Sequence, residues 1–395
     1  MSLNGRKITI VGAGIGGLAS ALCLQRKGAC VTVLEQADAI SEVGAGLQIS
    51  PNGVAVLRAL GLEEGLRETS VQARSVVLRD YAQGQDVLCL DLERYASDQA
   101  FYFVHRSDLI TLLANAVRKA GVQVRLLQKV AKVVPDNQAP TVWLANGAQA
   151  RPDLVVGADG LHSRARVALN GDDAAFFTGQ VAWRATIPND LNLPAQAQVF
   201  MGPGRHMVCY PLRNGERINI VAVQERDAWA DEGWHFSDDP ENLRAAFSDF
   251  GGVGHEILAR VDTVGLWGLF RHPVAKHWYR GNVALVGDAA HPTLPFMAQG
   301  ANLALEDSWV LADCLDQIQD PDLALMRYQT LRRPRAAKVV GAANGNAWKY
   351  HLRLPPVRGM AHMVLGLGGR LAPRRMVRQF DWIYRHDVTA GAAAR

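Results

Sequence analysis

Apolar positions near the start of the chain follow first the spacing of a buried strand and then that of a helix. Residues 8–11 form a short apolar run, as a central parallel strand does. Apolar residues at 18–23 follow at helical spacing until Gly28, and a second apolar run ends at Glu35. The pattern predicts a strand, a turn, a helix and a second strand, a unit typical of α/β sheets.

Two later segments repeat the transition from an apolar strand to a glycine turn that carries an acidic residue. Residues 154–156 run into a turn with Asp159, and residues 283–286 run into a turn with Asp288. Ligands of open α/β sheets bind at the carboxyl ends of strands, so three such ends predict an extended ligand. The alternative for each aspartate is a helix cap or a turn residue.

In the middle of the chain the apolar positions recur at every second residue, which predicts an antiparallel sheet. The clearest segment reads "HMVCYPL". There, His206, Val208 and Tyr210 share one face of the strand, while Met207 and Cys209 share the other. One face of this strand therefore carries an imidazole and a phenol together.

Length and composition set limits on this picture. At 395 residues, with 49% hydrophobic and 20% charged residues, the chain is expected to form two or three subdomains of ordinary globular type. The five cysteines show no CxxC spacing, which argues against a disulfide framework or a zinc site. Neither a signal-peptide region nor an apolar stretch of about 18 residues occurs, so the sequence predicts a soluble cytoplasmic protein without a transmembrane segment.

The net charge of +4 conceals an asymmetry along the chain. From Arg332 onward there are thirteen Lys and Arg against two Asp, which gives +11 and leaves −7 for the preceding residues. We interpret this basic segment as a solvated helical face that also attracts anionic substrate, with an acidic partner or anionic lipid as the alternative. Signatures of the common nucleic-acid-binding folds are absent, so no nucleic-acid partner is expected.

The turn after the first strand has the spacing of a dinucleotide-binding loop. Gly12 permits the tight turn, Gly14 lets the backbone approach a pyrophosphate, and Gly17 lets the helix pack on the strand. Glu35 would accept hydrogen bonds from a ribose, and its charge disfavours a 2′-phosphate. These residues predict NAD or the AMP half of FAD. A second glycine loop, at residues 44–46, has no use in a simple NAD dehydrogenase and therefore favours FAD.

Three motifs and two shorter ones together resemble the single-component FAD-dependent aromatic hydroxylases, especially the salicylate-hydroxylase-like branch. They are the glycine turn with Glu35, "GADG" at 157–160, "GDAAHPTLPFMAQGANLALED" at 287–307, "HRSDL" at 105–109 and "WIYRHD" at 382–387. The likeness spans nearly the full length of the chain. The combination is highly specific for the superfamily and much less specific for the substrate.

The resemblance implies an α/β fold in which a Rossmann-like FAD-binding domain is interleaved with an antiparallel-sheet substrate domain, followed by C-terminal helices. The FAD-binding domain is expected to comprise residues 1–75, 100–170 and 275–345. The substrate-binding domain is expected to comprise residues 76–99 and 171–274, and residues 346–395 would form the C-terminal helical segment.

The resemblance also implies roles for individual cofactor-binding residues. Glu35 would bind the adenosine ribose, Arg106 would lie by the FAD pyrophosphate or ribose, and Asp159 would serve both FAD and the nicotinamide nucleotide. Asp288 would hold the ribityl chain, and the amides of the helix that starts at Gly300 would face the flavin pyrimidine edge. The full set of expected cofactor-binding residues is Gly12, Gly14, Ile15, Gly17, Glu35, Gln36, Arg106, Asp159, Asp288, Pro295, Gly300, Ala301 and Asn302.

His206 and Tyr210 are the expected catalytic residues. Either could accept the proton of a phenolic substrate or relay it to solvent, and related hydroxylases of heteroaromatic acids use a His and a Tyr at this spacing. The alternative is that Tyr210 only packs against the sheet and His206 lies at an exposed strand end. Arg184 is expected to pair with a neighbouring acid rather than with a substrate carboxylate, and His291 is expected to be mainly a turn residue. The expected substrate pocket consists of Gln48, Trp183, Val208, Tyr210, Pro295 and Phe296.

Together these features predict a monooxygenase that consumes NADH or NADPH and O2 and hydroxylates an aromatic acid or phenol through a flavin C4a-hydroperoxide. No second GxGxxG unit is present, so the nicotinamide nucleotide is expected to bind transiently. The alternative is an FAD-dependent reductase or dehydrogenase of a hydrophobic substrate, without oxygen insertion. A third hypothesis is a flavin-bearing protein that contacts a membrane surface or a partner through its basic segment. The expected ligand is a small aromatic molecule, and a homodimer is compatible with the sequence.

Overall fold

The computed structural model describes residues 3–40, 46–172, 175–227, 236–294 and 297–392. The strands, in chain order, are β1 (Lys7–Val11), β2 (Cys30–Leu34), β3 (Gly46–Ile49), β4 (Val71–Gln72), β5 (Ser75–Asp80), β6 (Asp86–Asp91), β7 (Tyr102–His105), β8 (Gln123–Arg125), β9 (Val130–Val134), β10 (Thr141–Leu144), β11 (Gln149–Ala150), β12 (Leu154–Gly157), β13 (Phe176–Pro188), β14 (Gln196–Gly202), β15 (Arg205–Leu212), β16 (Arg217–Glu225), β17 (Phe236–Asp238), β18 (Val264–Arg271), β19 (Tyr279–Arg280) and β20 (Val283–Leu285). The α-helices are α1 (Ile15–Arg26), α2 (Pro51–Ala59), α3 (Glu63–Thr69), α4 (Leu92–Tyr95), α5 (Arg106–Lys119), α6 (Arg164–Asn170), α7 (Pro240–Ala246), α8 (Val253–Ala259), α9 (Gly300–Gln317), α10 (Pro321–Tyr350), α11 (Pro355–Leu371), α12 (Pro373–Arg378) and α13 (Asp381–Tyr384).

The central sheet has the strand order β19-β20-β12-β1-β2-β8 in the described part of the chain. Its strands are parallel apart from β19, which pairs antiparallel with β20. Ile8 and Ile10 of β1 are at most 1% exposed and belong to the main apolar cluster, which also contains residues of α1, α5, β9 and β10, as a continuous apolar strand predicts. The predicted α/β fold is confirmed, and the predicted strand, turn, helix and strand are β1, α1 and β2 with the turn between β1 and α1.

A second large sheet has the strand order β17-β18-β13-β16-β15-β14-β5-β6. Its strands pair antiparallel except for β14 and β5, so the predicted antiparallel sheet is confirmed. The face of β15 that carries Met207 and Cys209 packs into an apolar cluster with Phe247 and Phe250, beside α7 and α8. The opposite face of this strand is left for the site described below.

The C-terminal helices close one end of this large sheet. Helix α11 packs on the edge strand β6, and α12 contacts α11 and the same strand. A stripe of exposed apolar side chains runs along the other side of α11, at Val357, Met360, Val364, Leu367 and Leu371. Among the described residues, no helix combines the length and the apolar character needed to cross a lipid bilayer.

Candidate active site

A cavity of 1690 Å³ is lined by the strand ends of the central sheet, by the inner face of the large sheet and by the C-terminal helices. Pockets for drug-sized ligands usually measure about 300–1,000 Å³, so this cavity can hold a ligand as long as a dinucleotide together with a small molecule. One part of the cavity is lined by the glycine turn and the acidic turns. The other part is lined by β13, β14, β15 and β16.

The segment from the end of β1 into α1 excludes side chains at two of the three glycines of the GxGxxG motif. Gly12 has φ +99°, and a Cβ there would lie 2.5 Å from the carbonyl oxygen of Ala158. A Cβ at Gly17 would overlap the carbonyl oxygen of Gly12. A Cβ at Gly14 would meet no atom within 4 Å, because this glycine faces the cavity at the start of α1. The turn therefore presents bare backbone and a helix N-terminus to the cavity, which is the arrangement that binds a pyrophosphate.

Glu35 follows β2 and lies beside this turn. Its carboxylate oxygens accept hydrogen bonds from the backbone amides of Ala13 (2.7 Å) and Ala37 (2.9 Å). Each carboxylate oxygen keeps a second lone pair that can accept a bond from a ribose hydroxyl. Glu35 and Gln36 both line the cavity, as the predicted ribose contact requires.

Asp288 and Arg106 bring opposite charges into the same part of the cavity. Asp288 lies in the turn after β20. Its side chain lines the cavity and is enclosed by the cavity walls. This enclosure raises the pKa of Asp288, while the charges of His291 and Arg106 oppose the rise. Arg106 is the first residue of α5, and burial lowers its pKa while Asp288 acts in the opposite direction. The pair provides a carboxylate acceptor and a guanidinium donor for a polar, charged ligand.

Asp159 has a structural role besides the predicted one. Its carboxylate accepts hydrogen bonds from the Ser163 hydroxyl (2.5 Å) and from the Arg164 amide (2.7 Å), and so fixes the start of α6. Asp159 therefore helps to cap the N-terminal end of α6, as the alternative interpretation of this residue predicts. Asp159 also lines the cavity, and its contact with FAD and the nicotinamide nucleotide stays a prediction.

The start of α9 is held by the Asn302 side chain. Its Oδ1 accepts a hydrogen bond from the Ser50 amide (3.0 Å), and its Nδ2 donates to the carbonyl oxygens of Gln48 (3.0 Å) and Ala298 (2.7 Å). The first amides of a helix have no partner within the helix, and Gly300 and Ala301 at this start line the cavity. Pro295 and Phe296, which were expected in the pocket, lie outside the described residues.

Sequence reasoning missed a buried network of charges behind the Asp288 turn. Asp307 on α9 accepts hydrogen bonds from the Gly287 amide (3.0 Å) and from Arg332 Nε (2.8 Å). Its Oδ2 lies 2.5 Å from His291 Nε2, and His291 is completely buried. His291 is therefore more than the expected turn residue, because it anchors the turn to α9. Arg332 also pairs with Glu306 at 2.6 Å.

His206, Val208 and Tyr210 all line the cavity, as the period-two pattern predicts. The Tyr210 ring is 4% exposed and lies 4.9 Å from the Phe103 ring, centroid to centroid. Burial raises the pKa of Tyr210, while the positive charge of Arg184 opposes this. His206 is 2% exposed, so the alternative of an exposed strand end is wrong. Burial, together with the neighbouring His351, lowers the pKa of His206 well below its usual range.

The structure corrects the expectation for Arg184, which does not pair with a neighbouring acid in the part of the chain that the structure describes. Its guanidinium lies 5.5 Å from the centre of the Trp267 ring, and the side chain lines the cavity. Its Nε is buried and forms no hydrogen bond with the described residues. Burial and the charge of Arg106 lower the pKa of Arg184, and Tyr210 opposes them. The cavity thus contains a guanidinium without a counter-charge from this strand or its neighbours.

The prediction that Trp183 lines the substrate pocket is wrong. Trp183 is completely buried on the opposite face of β13, where its Nε1 donates a hydrogen bond to Asp238 Oδ2 (2.7 Å). Its ring packs edge to face against Phe247 at 6.0 Å. Successive residues of a strand point to opposite faces, so Trp183 lies away from the cavity because Arg184 points into it. Gln48, by contrast, does line the cavity.

The C-terminal segment supplies cavity residues that the sequence did not indicate. Tyr350, Leu365, Met376 and Tyr384 line the end of the cavity that lies against the large sheet. Their apolar spacing signals burial on a helix, but it does not show which surface the helix covers. In the basic segment that begins at Arg332, two positive charges are used inside the protein, because Arg332 and Arg335 both pair with the buried Glu306.

Comparison with known proteins gives a family and several full-length relatives. The family described as FAD binding domain matches residues 6–343. The chain is 35% identical over 357 residues to 3-amino-4-hydroxybenzoate 2-monooxygenase from Streptomyces cremeus, covering 88% of each chain. It is 32% identical to 3-hydroxybenzoate 6-hydroxylase from Polaromonas naphthalenivorans, covering 96% of each. A solved salicylate hydroxylase substrate complex superposes with a TM-score of 0.83 at 24% identity, covering 98% of this chain and 97% of that one, which shows a shared fold.

Proposed function

Because the chain belongs to the FAD binding domain family and is a flavin-dependent aromatic monooxygenase, we propose that its substrate is a phenolic acid bound through its carboxylate. The named relatives act on hydroxybenzoates, which carry a hydroxyl group and a carboxylate on one ring. The reductase alternative is disfavoured, because these relatives insert oxygen. FAD is the cofactor, and NADH or NADPH and O2 are the co-substrates.

The glycine turn, Glu35, Arg106, Asp288 and the α9 start would hold FAD. The turn fits the cofactor because Gly14 faces open space and the acceptors and donors around it match a pyrophosphate and sugar hydroxyls. When bound, FAD takes a hydride from the nicotinamide nucleotide and activates O2 for transfer of one oxygen atom to the ring. The protein contributes by positioning the ring, excluding water and moving the phenol proton.

The observation that carries the substrate proposal is the guanidinium of Arg184, which lines the cavity and forms no ion pair with an acidic residue in the described ranges of the chain. A buried guanidinium is unfavourable unless an anion accompanies it, and a carboxylate matches its planar donors. Tyr210 lies on the same cavity wall, and its neutral hydroxyl can take the phenol proton as it passes its own proton on. A ring with a carboxylate at Arg184 would pair the guanidinium with an anion. A hydroxyl of the same ring toward Tyr210 or His206 would have a group that can take its proton.

A substrate screen tests this proposal directly. Hydroxybenzoates and aminohydroxybenzoates are compared with the corresponding phenols that lack the carboxylate, and substrate-stimulated oxidation of NADH and NADPH is measured. We expect stimulation by one or more of the acids and much weaker stimulation by the uncharged phenols. Equal stimulation by acids and uncharged phenols would contradict the role of the carboxylate.

We expect Arg184→Leu to weaken turnover of the phenolic acid specifically. Losing one member of a buried charge pair costs about 2 kcal/mol or more, which corresponds to roughly a 30-fold fall in kcat/KM. Flavin content should not change. Arg226→Leu is the matched control, because that guanidinium also lies over a tryptophan ring, Trp183, but does not line the cavity. A control variant that loses as much kcat/KM as Arg184→Leu would show that the effect is structural.

We expect Tyr210→Phe to slow hydroxylation about 100-fold while flavin content stays intact, since general acid–base groups contribute on that scale. The ring of phenylalanine preserves the packing against Phe103 and removes only the hydroxyl. Turnover is followed as product formation with several phenols. Unchanged turnover with all of them would refute a proton-transfer role for Tyr210.

We further propose that the enzyme is a homodimer that works in the cytoplasm, where its nicotinamide co-substrate is available. The exposed apolar stripe on α11 recurs every three or four residues, so it forms one continuous face that a second copy can cover by twofold symmetry. Sedimentation velocity should show a dimer, and Val364→Glu should shift it to a monomer. A wild-type monomer would refute the dimer, and co-sedimentation of that monomer with anionic liposomes would favour the lipid alternative.

A further inference from the structure

A line of hydrogen-bonded side chains leads from the substrate end of the cavity to the protein surface. Nδ1 of His206 lies 2.6 Å from Nε2 of His351, and Nδ1 of His351 lies 2.8 Å from Oε1 of Glu225. Arg353 donates a hydrogen bond to the other oxygen of Glu225 at 2.5 Å. His206 lines the cavity on the same strand face as Tyr210, so the line begins at the part of the cavity wall that we expect to face the substrate.

Exposure to solvent increases along this line. His206 and His351 are 2% and 4% exposed. The side chain of Glu225 is 30% exposed and that of Arg353 is 70% exposed. The inner two groups are therefore shielded from water, while the carboxylate of Glu225 can exchange a proton with bulk solvent.

The backbone fixes the three groups relative to one another. His351 lies in the loop between α10 and α11, and its carbonyl oxygen accepts a hydrogen bond from the Gly204 amide at 3.2 Å. The Gly204 carbonyl oxygen in turn accepts a hydrogen bond from the Glu225 amide at 2.9 Å. The turn between β14 and β15 thus holds the C-terminal loop against the end of β16, next to His206.

The carboxylate at the outer end determines the protonation pattern of both imidazoles. Burial acts to raise the pKa of Glu225, but hydrogen bonds from Arg353 and His351 outweigh it and lower the pKa, so this group is an ionised acceptor at neutral pH. Nδ1 of His351 must therefore donate, and in a neutral ring Nε2 then accepts. Nδ1 of His206 must donate to that nitrogen, which leaves the lone pair of neutral His206 on Nε2. Burial favours the neutral form of both rings, since it lowers the pKa of each.

We propose that His206, His351 and Glu225 form a proton relay that carries the hydroxyl proton of the bound substrate to solvent. The inference rests on the proposed function, because it requires a phenolic substrate in the cavity. The substrate O–H bond breaks as Nε2 of His206 takes the proton, and the Nδ1 proton of His206 passes to Nε2 of His351. The Nδ1 proton of His351 passes to Glu225, which releases it to water. After hydroxylation a proton returns along the same path to the product hydroxyl, and this return restores the starting tautomers.

The described neighbours of the relay include a histidine, a tyrosine ring and an arginine. His206 faces His351 and the Tyr350 ring, 5.4 Å away between centroids. His351 faces Glu225, and Glu225 faces Arg353. His351 and Glu225 would act through His206 and are therefore positioning and proton-transfer residues that do not touch the substrate.

Stopped-flow measurement of proton release tests the relay without turnover. The flavin-loaded enzyme is mixed with 3-hydroxybenzoate in weak buffer, in the absence of NADH. Binding is followed by the change in flavin absorbance, and proton release is followed by a pH indicator dye. In the wild-type enzyme we expect the two signals to coincide. In Glu225→Gln, whose amide oxygen still accepts a hydrogen bond but cannot take up the proton, we expect unchanged binding and about 10-fold or more slower proton release.

Two further variants separate proton transfer from structure. His351→Gln should show the same split between fast binding and slow proton release. Glu241→Gln is the matched control, because Glu241 is likewise paired with an arginine, at 2.7 Å from Arg244, but lies away from the cavity. Proton release at the wild-type rate in Glu225→Gln and His351→Gln would overturn the relay alone. Absence of any binding signal from 3-hydroxybenzoate and other phenolic acids in the wild-type enzyme would overturn the proposed function and the relay with it.

Discussion

Asp288→Ala is expected to yield a folded protein that purifies without yellow colour. Asp288 contributes a carboxylate to the cavity beside Arg106, at the point where the resemblance to aromatic hydroxylases implies the ribityl chain. Its removal deletes an acceptor for the cofactor hydroxyls and removes the negative charge that now favours the protonated form of Arg106. The measurement is flavin content per chain, from absorbance after purification, together with a circular dichroism spectrum that confirms folding.

Two comparisons sharpen the test of Asp288. Asp288→Asn keeps an oxygen acceptor and loses the charge, so it should retain more flavin than the alanine variant. Asp322→Ala removes an exposed carboxylate from the start of α10 and should keep its full flavin content. Normal flavin content in Asp288→Ala would refute the assignment of this residue to cofactor binding.

Arg332→Leu should destabilise the protein by about 3–5 kcal/mol, the cost typical of breaking a buried ion pair from one side. Arg332 is 1% exposed and pairs with two carboxylates that are themselves completely buried, Glu306 at 2.6 Å and Asp307 at 2.8 Å. The substitution leaves Glu306 with Arg335, but it removes the arginine from Asp307, which holds the turn that carries Asp288. The free energy of unfolding is measured by chemical denaturation of the flavin-free and the flavin-loaded protein.

The pH dependence of this effect follows from the two carboxylates. Burial acts to raise the pKa of Asp307, but His291 and Arg332 outweigh it, and the pKa is lowered in the folded protein. The stabilisation is therefore present above the unfolded pKa of about 4 and is lost as the pH falls through the folded value. The difference in the free energy of unfolding between the wild type and Arg332→Leu should therefore become smaller at acidic pH. Arg333 is the exposed neighbour of Arg332, and Arg333→Leu should change the free energy of unfolding by less than about 1 kcal/mol. An equal loss of stability in both variants would contradict the role of the buried network.

The parts of the site that the sequence predicted are those with a local geometric cause. Gly12 and Gly17 could be assigned because a side chain at either position would collide with backbone in a turn of this length. His206 and Tyr210 could be placed on one face because the strand repeats every two residues. Both inferences need only neighbouring residues, and the structure has the geometry that they require.

The parts that failed depend on long-range packing. Trp183 and Arg184 are neighbours with apolar residues on both sides, so the segment "VAWRATI" does not reveal which face meets the cavity. His351 lies 145 residues from His206, in a loop without a motif, and only the folded chain brings the two rings together. The buried pairing of Arg332 with Glu306 and Asp307 was likewise hidden, because a basic residue on a helix is usually solvated.

Several sequence inferences stay predictions. The domain boundaries at residues 75, 99, 170, 274 and 345 are of this kind, although β5 and β6 do join the strands of residues 176–271 in one sheet. The individual FAD contacts are also predictions, supported by the cavity that most of the predicted residues line; Gly17 and Asn302 are not among the lining residues. The roles assigned to Pro295 and Phe296 fall on residues outside the described part of the chain.

The central claim is that the bound aromatic acid receives one oxygen atom from O2 at the expense of NADH or NADPH. The most direct measurement is turnover under ¹⁸O2 with the best acid from the substrate screen, followed by mass spectrometry of the product and by parallel counting of the nicotinamide consumed. We expect a hydroxylated product that carries one ¹⁸O atom and that forms only when the nicotinamide nucleotide is oxidised. A product with unchanged oxygen content, or one whose added oxygen comes from water, would contradict the assignment.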